Sequence, residues 1–125
     1  MWYSLLDLKI PAPGEILAHI TVTDDSLWFS GHFPDNPILP GIAQLHMVAD
    51  IIALSRQERL YIKRLNRVKF KKVVRPGEQL EIHTAATGTT GLYSFRLTHE
   101  EQDVCSGMIT LDDQQPRQNA TDQHY

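Results

Sequence analysis

The chain has 125 residues, with 12 Lys and Arg against 15 Asp and Glu, for a formal net charge of -3. That length suits one domain with its own core, leaves no comfortable room for a second, and needs neither a disulfide nor a structural metal to stay folded. So small a charge argues against a general nucleic-acid binder, and the single cysteine, Cys105, excludes an intrachain disulfide and a cysteine-built zinc site and fits a reducing cytoplasm.

In chain order, Trp2 to Ile10 is a short apolar run without the charged lead or small-residue cleavage site of a secretory signal, so it reads as part of the fold. A Pro-Ala-Pro-Gly turn at 11–14 follows. In Leu17 to Thr23, Ala18, Ile20 and Val22 fall at every second position, which predicts a half-buried strand. A short run, Leu27 to Ser30, precedes GHFPDNPILPG at 31–41, where Pro34, Pro37 and Pro40 forbid regular structure. From Gly41 the period changes: Ile42, Leu45, Val48, Ala49 and Ile52 predict a buried helix over about 41–56. Its apolar stretch is broken by Gln44, His46 and Asp50 and is far shorter than the roughly 20 residues of a membrane span.

Val68, Phe70 and Val74 alternate with Arg67, Lys69 and Lys71, predicting a strand with Phe70 on its buried face. After a Pro76-Gly77 turn, three runs (Leu80 to Thr84, Tyr93 to Leu97 and Val104 to Leu111) are separated by turn-forming residues and predict an antiparallel meander. The final DDQQPRQNATDQHY is too polar to order itself and reads as a flexible tail over 112–125, in which the Asn119 sequon is a chance match. The expectation is a single α+β domain over 1–111, in which a curved antiparallel sheet wraps one largely apolar helix.

The segment that carries chemistry is GHFPDNPILPGIAQLHMVAD, Gly31 to Asp50. It sets His32 in a proline-stiffened turn just ahead of Pro40-Gly41, which opens the helix. The first amides of a helix have no partner within it and polarise a carbonyl or bind an anion. An imidazole beside them is placed to take a proton from the carbon next to that carbonyl. Taken alone, His32 reads better as a residue that merely caps or packs the turn.

The whole segment resembles the active-site region of FabZ-type and FabA-type 3-hydroxyacyl-acyl-carrier-protein dehydratases: His32, Phe33, Pro34, Pro37, Pro40 and Gly41 match in order and spacing. The Gln44-Leu45 pair is similar to the ApeI-type dehydratases, and VKFKKVVRPGEQLEI, Val68 to Ile82, is similar to the family's strand-turn-strand. The resemblance implies a hot-dog fold paired as a homodimer, a substrate carried on phosphopantetheine by an acyl carrier protein, no further cofactor and no metal. It implies His32 as the base that removes the C2 proton and the Gly41 amide as the group that polarises the thioester carbonyl. It departs at one point. Five positions after Gly41, where the family carries Glu or Asp, this chain has His46. A protonated imidazole is a competent acid near neutral pH, and Asp50, one helical turn on, shares its face and would favour the imidazolium.

Seven basic residues crowd between 63 and 75: Lys63, Arg64, Arg67, Lys69, Lys71, Lys72 and Arg75. In an acidic chain this strip would guide an acidic carrier, or it is simply a solvated strand face; aromatics for stacking on nucleic acid are not interleaved. Trp28, Phe29, Phe33 and Pro40 flank the site and line an acyl channel or pack the core. His19, His83 and Cys105 read as ordinary strand residues. Three functions stay open: the dehydratase, a hot-dog thioesterase with Asp50 as its carboxylate, and a non-catalytic carrier-binding subunit of a hetero-oligomer, which His46 keeps in play.

Overall fold

The computed structural model describes residues 2–23 and 37–115. Its elements are β1 (Ser4–Lys9), β2 (Glu15–Thr21), α1 (Gly41–Arg56), β3 (Tyr61–Phe70), β4 (Gln79–Ala86), β5 (Leu92–His99) and β6 (Gln102–Asp112). The six strands form one antiparallel sheet in the order β1-β2-β4-β5-β6-β3. The expected α+β arrangement is therefore present, with β4, β5 and β6 as the meander.

Alternation decides which face of the sheet meets the helix. Ala18 and Ile20 of β2, Leu80, Ile82 and Thr84 of β4, and Tyr93, Phe95 and Leu97 of β5 all point into the core. Against them α1 buries Ala43, Gln44, Leu45, Met47, Val48, Ala49, Ile51 and Ile52. The helix ends where Gln57 turns left-handed at φ 56. The amides of Gln57 and Glu58 there close onto the Leu54 and Ala53 carbonyls.

Two expectations need correction. The strand after the helix is not centred on 68–74 but runs from Tyr61 to Phe70. Its alternation is illegible because it is an edge strand with long exposed stretches on both faces and two breaks in register against β6. At the second break Arg67, at φ 55, and Val68 together oppose Gly107. A Cβ on Gly107 would lie 2.9 Å from the Val68 Cα, so the bulge depends on glycine there. Phe70 pairs with the buried Cys105 and so lies on the helix side of the sheet as expected, but at 52% exposed it is not buried, because it ends an edge strand.

Candidate functional site

Among the described residues, no side chain caps the helix N-terminus. Pro40 occupies the cap position without a side-chain hydrogen bond, and no acidic residue lies in the first turn. The Pro40 carbonyl takes the Ala43 and Gln44 amides, which leaves the Gly41 and Ile42 amides as the donors without a partner among the described residues. The exposed Phe70 ring packs directly on Gly41: a Cβ at that position would come within 2.6 Å of the Phe70 Cζ. A side chain at position 41 would have to displace that ring, which stands as an aromatic wall beside the helix start. No spacing along the chain brings Phe70 to Gly41, so this wall is a product of the fold.

The turn that delivers Gly41 is held from beneath. Leu39 is buried, and its amide donates to the Val74 carbonyl at 2.8 Å. The buried Gln44 donates its Nε2 to the Leu39 carbonyl at 3.4 Å, while its Oε1 has no partner among the described residues. Gln44 thus sits on the core side of the helix and steadies the turn.

His46 and Asp50 lie with Ile42 on the strip of α1 that the sheet leaves uncovered, one turn apart as a period of 3.6 requires. They share a face, as expected, but His46 forms no ion pair or hydrogen bond with Asp50. The hydrogen bond to the carboxylate comes instead from Tyr3, whose hydroxyl donates to the Asp50 Oδ2 at 3.5 Å. Burial raises the Asp50 pKa above the ordinary carboxyl value, opposed by the charge of His46 and the Tyr3 hydrogen bond. Tyr3 is itself held well above the usual phenol range, first by burial and then by the charge of Asp50. No spacing along the chain links residues 3 and 50.

His32, Phe33, Trp28 and Phe29 lie outside the described residues. The basic strip divides in two. Lys63 pairs with Asp112 at 3.3 Å, Lys71 with Asp103 at 3.5 Å, and Lys72 donates to Gln102 at 3.0 Å. Arg64, Arg67, Lys69 and Arg75 are exposed and have no ion pair with a described residue.

Away from the helix, His19 bridges Asp7 at 2.7 Å and Glu81 at 3.0 Å on the sheet's outer face, and the Asp7 hydrogen bond raises its pKa. No cluster suited to a metal ion occurs among the described residues. Cys105 is fully buried, and burial pushes its thiol up to about 11, which suits a core residue and not a nucleophile.

Comparison with known proteins places these features. The model of the ApeI-like family, described as ApeI dehydratase, matches residues 10–108. The 3-hydroxyacyl-[acyl-carrier-protein] dehydratase FabZ of Lactobacillus helveticus is 33% identical over 110 residues, covering 79% of this chain and 74% of the relative. FabZ of Geobacter metallireducens is 36% identical over 94 residues, covering 66% of this chain and 63% of the relative. So the chain spans a little under two thirds of that relative's length and about three quarters of the other's. Among solved structures, the dehydratase heterocomplex ApeI:P from Xenorhabdus doucetiae superposes with a TM-score of 0.79 at 26% identity, over 89% of this chain and 98% of that one. A thioesterase protein from Streptococcus pneumoniae with coenzyme A shares the fold at a TM-score of 0.60 and 14% identity, over 87% of this chain and 83% of that one. These neighbours identify the one-helix, six-strand architecture as the hot-dog fold.

Proposed function

The chain belongs to the ApeI-like dehydratase family, and on that premise we propose that it eliminates water from a 3-hydroxyacyl thioester carried by an acyl carrier protein. The observation that carries this reading is one helix that presents, among the described residues, an uncapped N-terminus at Gly41 and, on its uncovered strip, His46 with Asp50 one turn on. A thioester carbonyl seated on the Gly41 amide is polarised, which acidifies the C2 proton. His32 removes that proton, the C2–C3 double bond forms, and the 3-hydroxyl leaves as water with a proton from His46. The product is a trans-2-enoyl thioester, and no electrons are exchanged, so the reaction needs no redox cofactor.

The same geometry favours a second copy of the chain. Among the described residues the outer edge of β3 has no partner strand, and Ile42, Leu54, Leu65 and Phe70 are exposed on the helix and on that strand. Pairing two β3 edges would satisfy the backbone, cover these side chains and bring the His46 of one copy to the Gly41 end of the other. The four cations of the basic strip without an ion pair among the described residues lie on or just beyond the same strand and would guide an acidic carrier to its rim. The buried Cys105 thiol fits a reducing compartment such as the cytoplasm.

The thioesterase alternative needs a carboxylate free to activate water, and the Asp50 carboxylate is occupied by Tyr3. The deciding experiment incubates the purified protein with a short 3-hydroxyacyl carrier thioester and follows its mass. Loss of one water is expected. Release of the free acid would establish a thioesterase instead, and an unchanged substrate would leave a carrier-binding subunit.

A further inference from the structure

We propose that Tyr3 is a positioning residue for this site: its hydroxyl donates to the Asp50 carboxylate at 3.5 Å and so holds a negative charge on the helix face one turn from His46. The inference rests on the dehydratase reading for its catalytic consequence but not for the contact itself.

The placement is specific. Tyr3 is only 4% exposed and belongs to the core cluster, and the Trp2 ring meets it edge-on, with centroids 5.0 Å apart and planes at 80°. The start of β1, just after it, is tied to β2 by the pairing of Ser4 with Thr21. The ring therefore has little freedom, and a buried phenol hydroxyl needs an acceptor. The acceptor is the one carboxylate on the uncovered strip of α1. The groups that act on that carboxylate are Tyr3, through its hydrogen bond, and His46, through its charge. Burial alone would favour the neutral acid, which offers His46 no charge. The Tyr3 hydrogen bond works in the opposite direction, favouring the carboxylate, and fixes where it sits relative to His46 one turn away. The N-terminal segment thereby supports a proton donor that lies 43 residues further along the chain.

The substitution Tyr3→Phe keeps the packed ring and removes the hydrogen bond. In the Asp50 side-chain carboxyl titration followed by carbon NMR, its midpoint should rise. In the pH profile of kcat, the alkaline limb should move to lower pH, with turnover at neutral pH reduced several-fold and KM little changed. In an Asp50→Asn background, Tyr3→Phe should add nothing further. The reciprocal measurement uses Asp50→Asn alone, in which the Tyr3 phenol, read by ultraviolet absorbance, should ionise at a lower pH than in the parent. An unmoved Asp50 midpoint, or a loss of turnover that is equal with and without Asp50, would reduce Tyr3 to a packing residue and overturn the proposal. Should the parent protein release no water from any 3-hydroxyacyl thioester, the dehydratase reading falls, and the two titrations still decide whether Tyr3 governs the Asp50 charge.

Discussion

At the scale of single residues, the substitution of an imidazole for the usual carboxyl acid changes what the site demands of pH. A base must be neutral to act and an acid must be charged when it is an imidazolium, so a His32 base and a His46 acid work only in the window where one is deprotonated and the other protonated. With these roles, activity should rise with pH on the limb of the base and fall on the limb of the acid. His32→Ala and His46→Ala should each lower kcat by about 10²–10⁴-fold, the usual contribution of one proton-transfer group. His46→Glu restores a carboxyl, whose lower intrinsic pKa moves the alkaline limb toward acid, and should keep measurable turnover. A pH-rate series on the three variants checks this. Retention of full activity in His46→Ala would identify a different acid, and activity that emerges only in His46→Glu would mark the natural site as degenerate.

At the scale of elements, β3 serves several tasks, and its sequence reflects the compromise. It is an edge, it carries a bulge that needs Gly107 opposite, it walls the helix N-terminus with Phe70, and it presents cations. The salt bridges divide those cations into two groups with different expected roles. Lys63 and Lys71 spend their charge on Asp112 and Asp103, whereas Arg64, Arg67 and Lys69 have no such partner among the described residues. Reversing Arg64, Arg67 and Lys69 to Glu should weaken carrier binding about tenfold at low salt, an effect that fades as salt screens the charges. Reversing Lys71 and Lys72 should matter less. Calorimetric titration with the acyl carrier at two salt concentrations tests the division. Equal affinities for both sets would remove the strip from the recognition surface.

At the scale of the molecule, the described residues leave a strip of helix bearing Ile42, His46, Asp50 and Leu54 exposed and the β3 edge without a partner strand, as the proposed pairing of two copies requires. Light scattering at micromolar concentration should give at least twice the 14.3 kDa chain mass. Leu65→Glu, which sets a charge on that edge, should shift the protein toward monomer and reduce turnover in parallel. A fully active monomer would mean that each chain holds a complete site. The Xenorhabdus doucetiae neighbour is a heterocomplex, so a mass that doubles only when a second dehydratase chain is added would identify a non-identical partner.

Much of this protein was legible in its sequence. Helical and two-residue periods are local, so α1, β2 and the β4-β5-β6 meander follow from the spacing of apolar residues alone. The His32-to-Gly41 motif and the departure at His46 are contiguous in the chain and visible there. Tertiary structure decided the rest. Where β3 begins depends on pairing with β6, because an edge strand with both faces exposed and a bulge carries no clean alternation. That Phe70 walls the helix start, that Lys63 and Lys71 are already paired, and that Asp50 is held by Tyr3 are contacts between residues 29 to 49 positions apart. Such contacts are fixed by how the sheet curves around the helix, and spacing along a chain records only what neighbours in sequence can do.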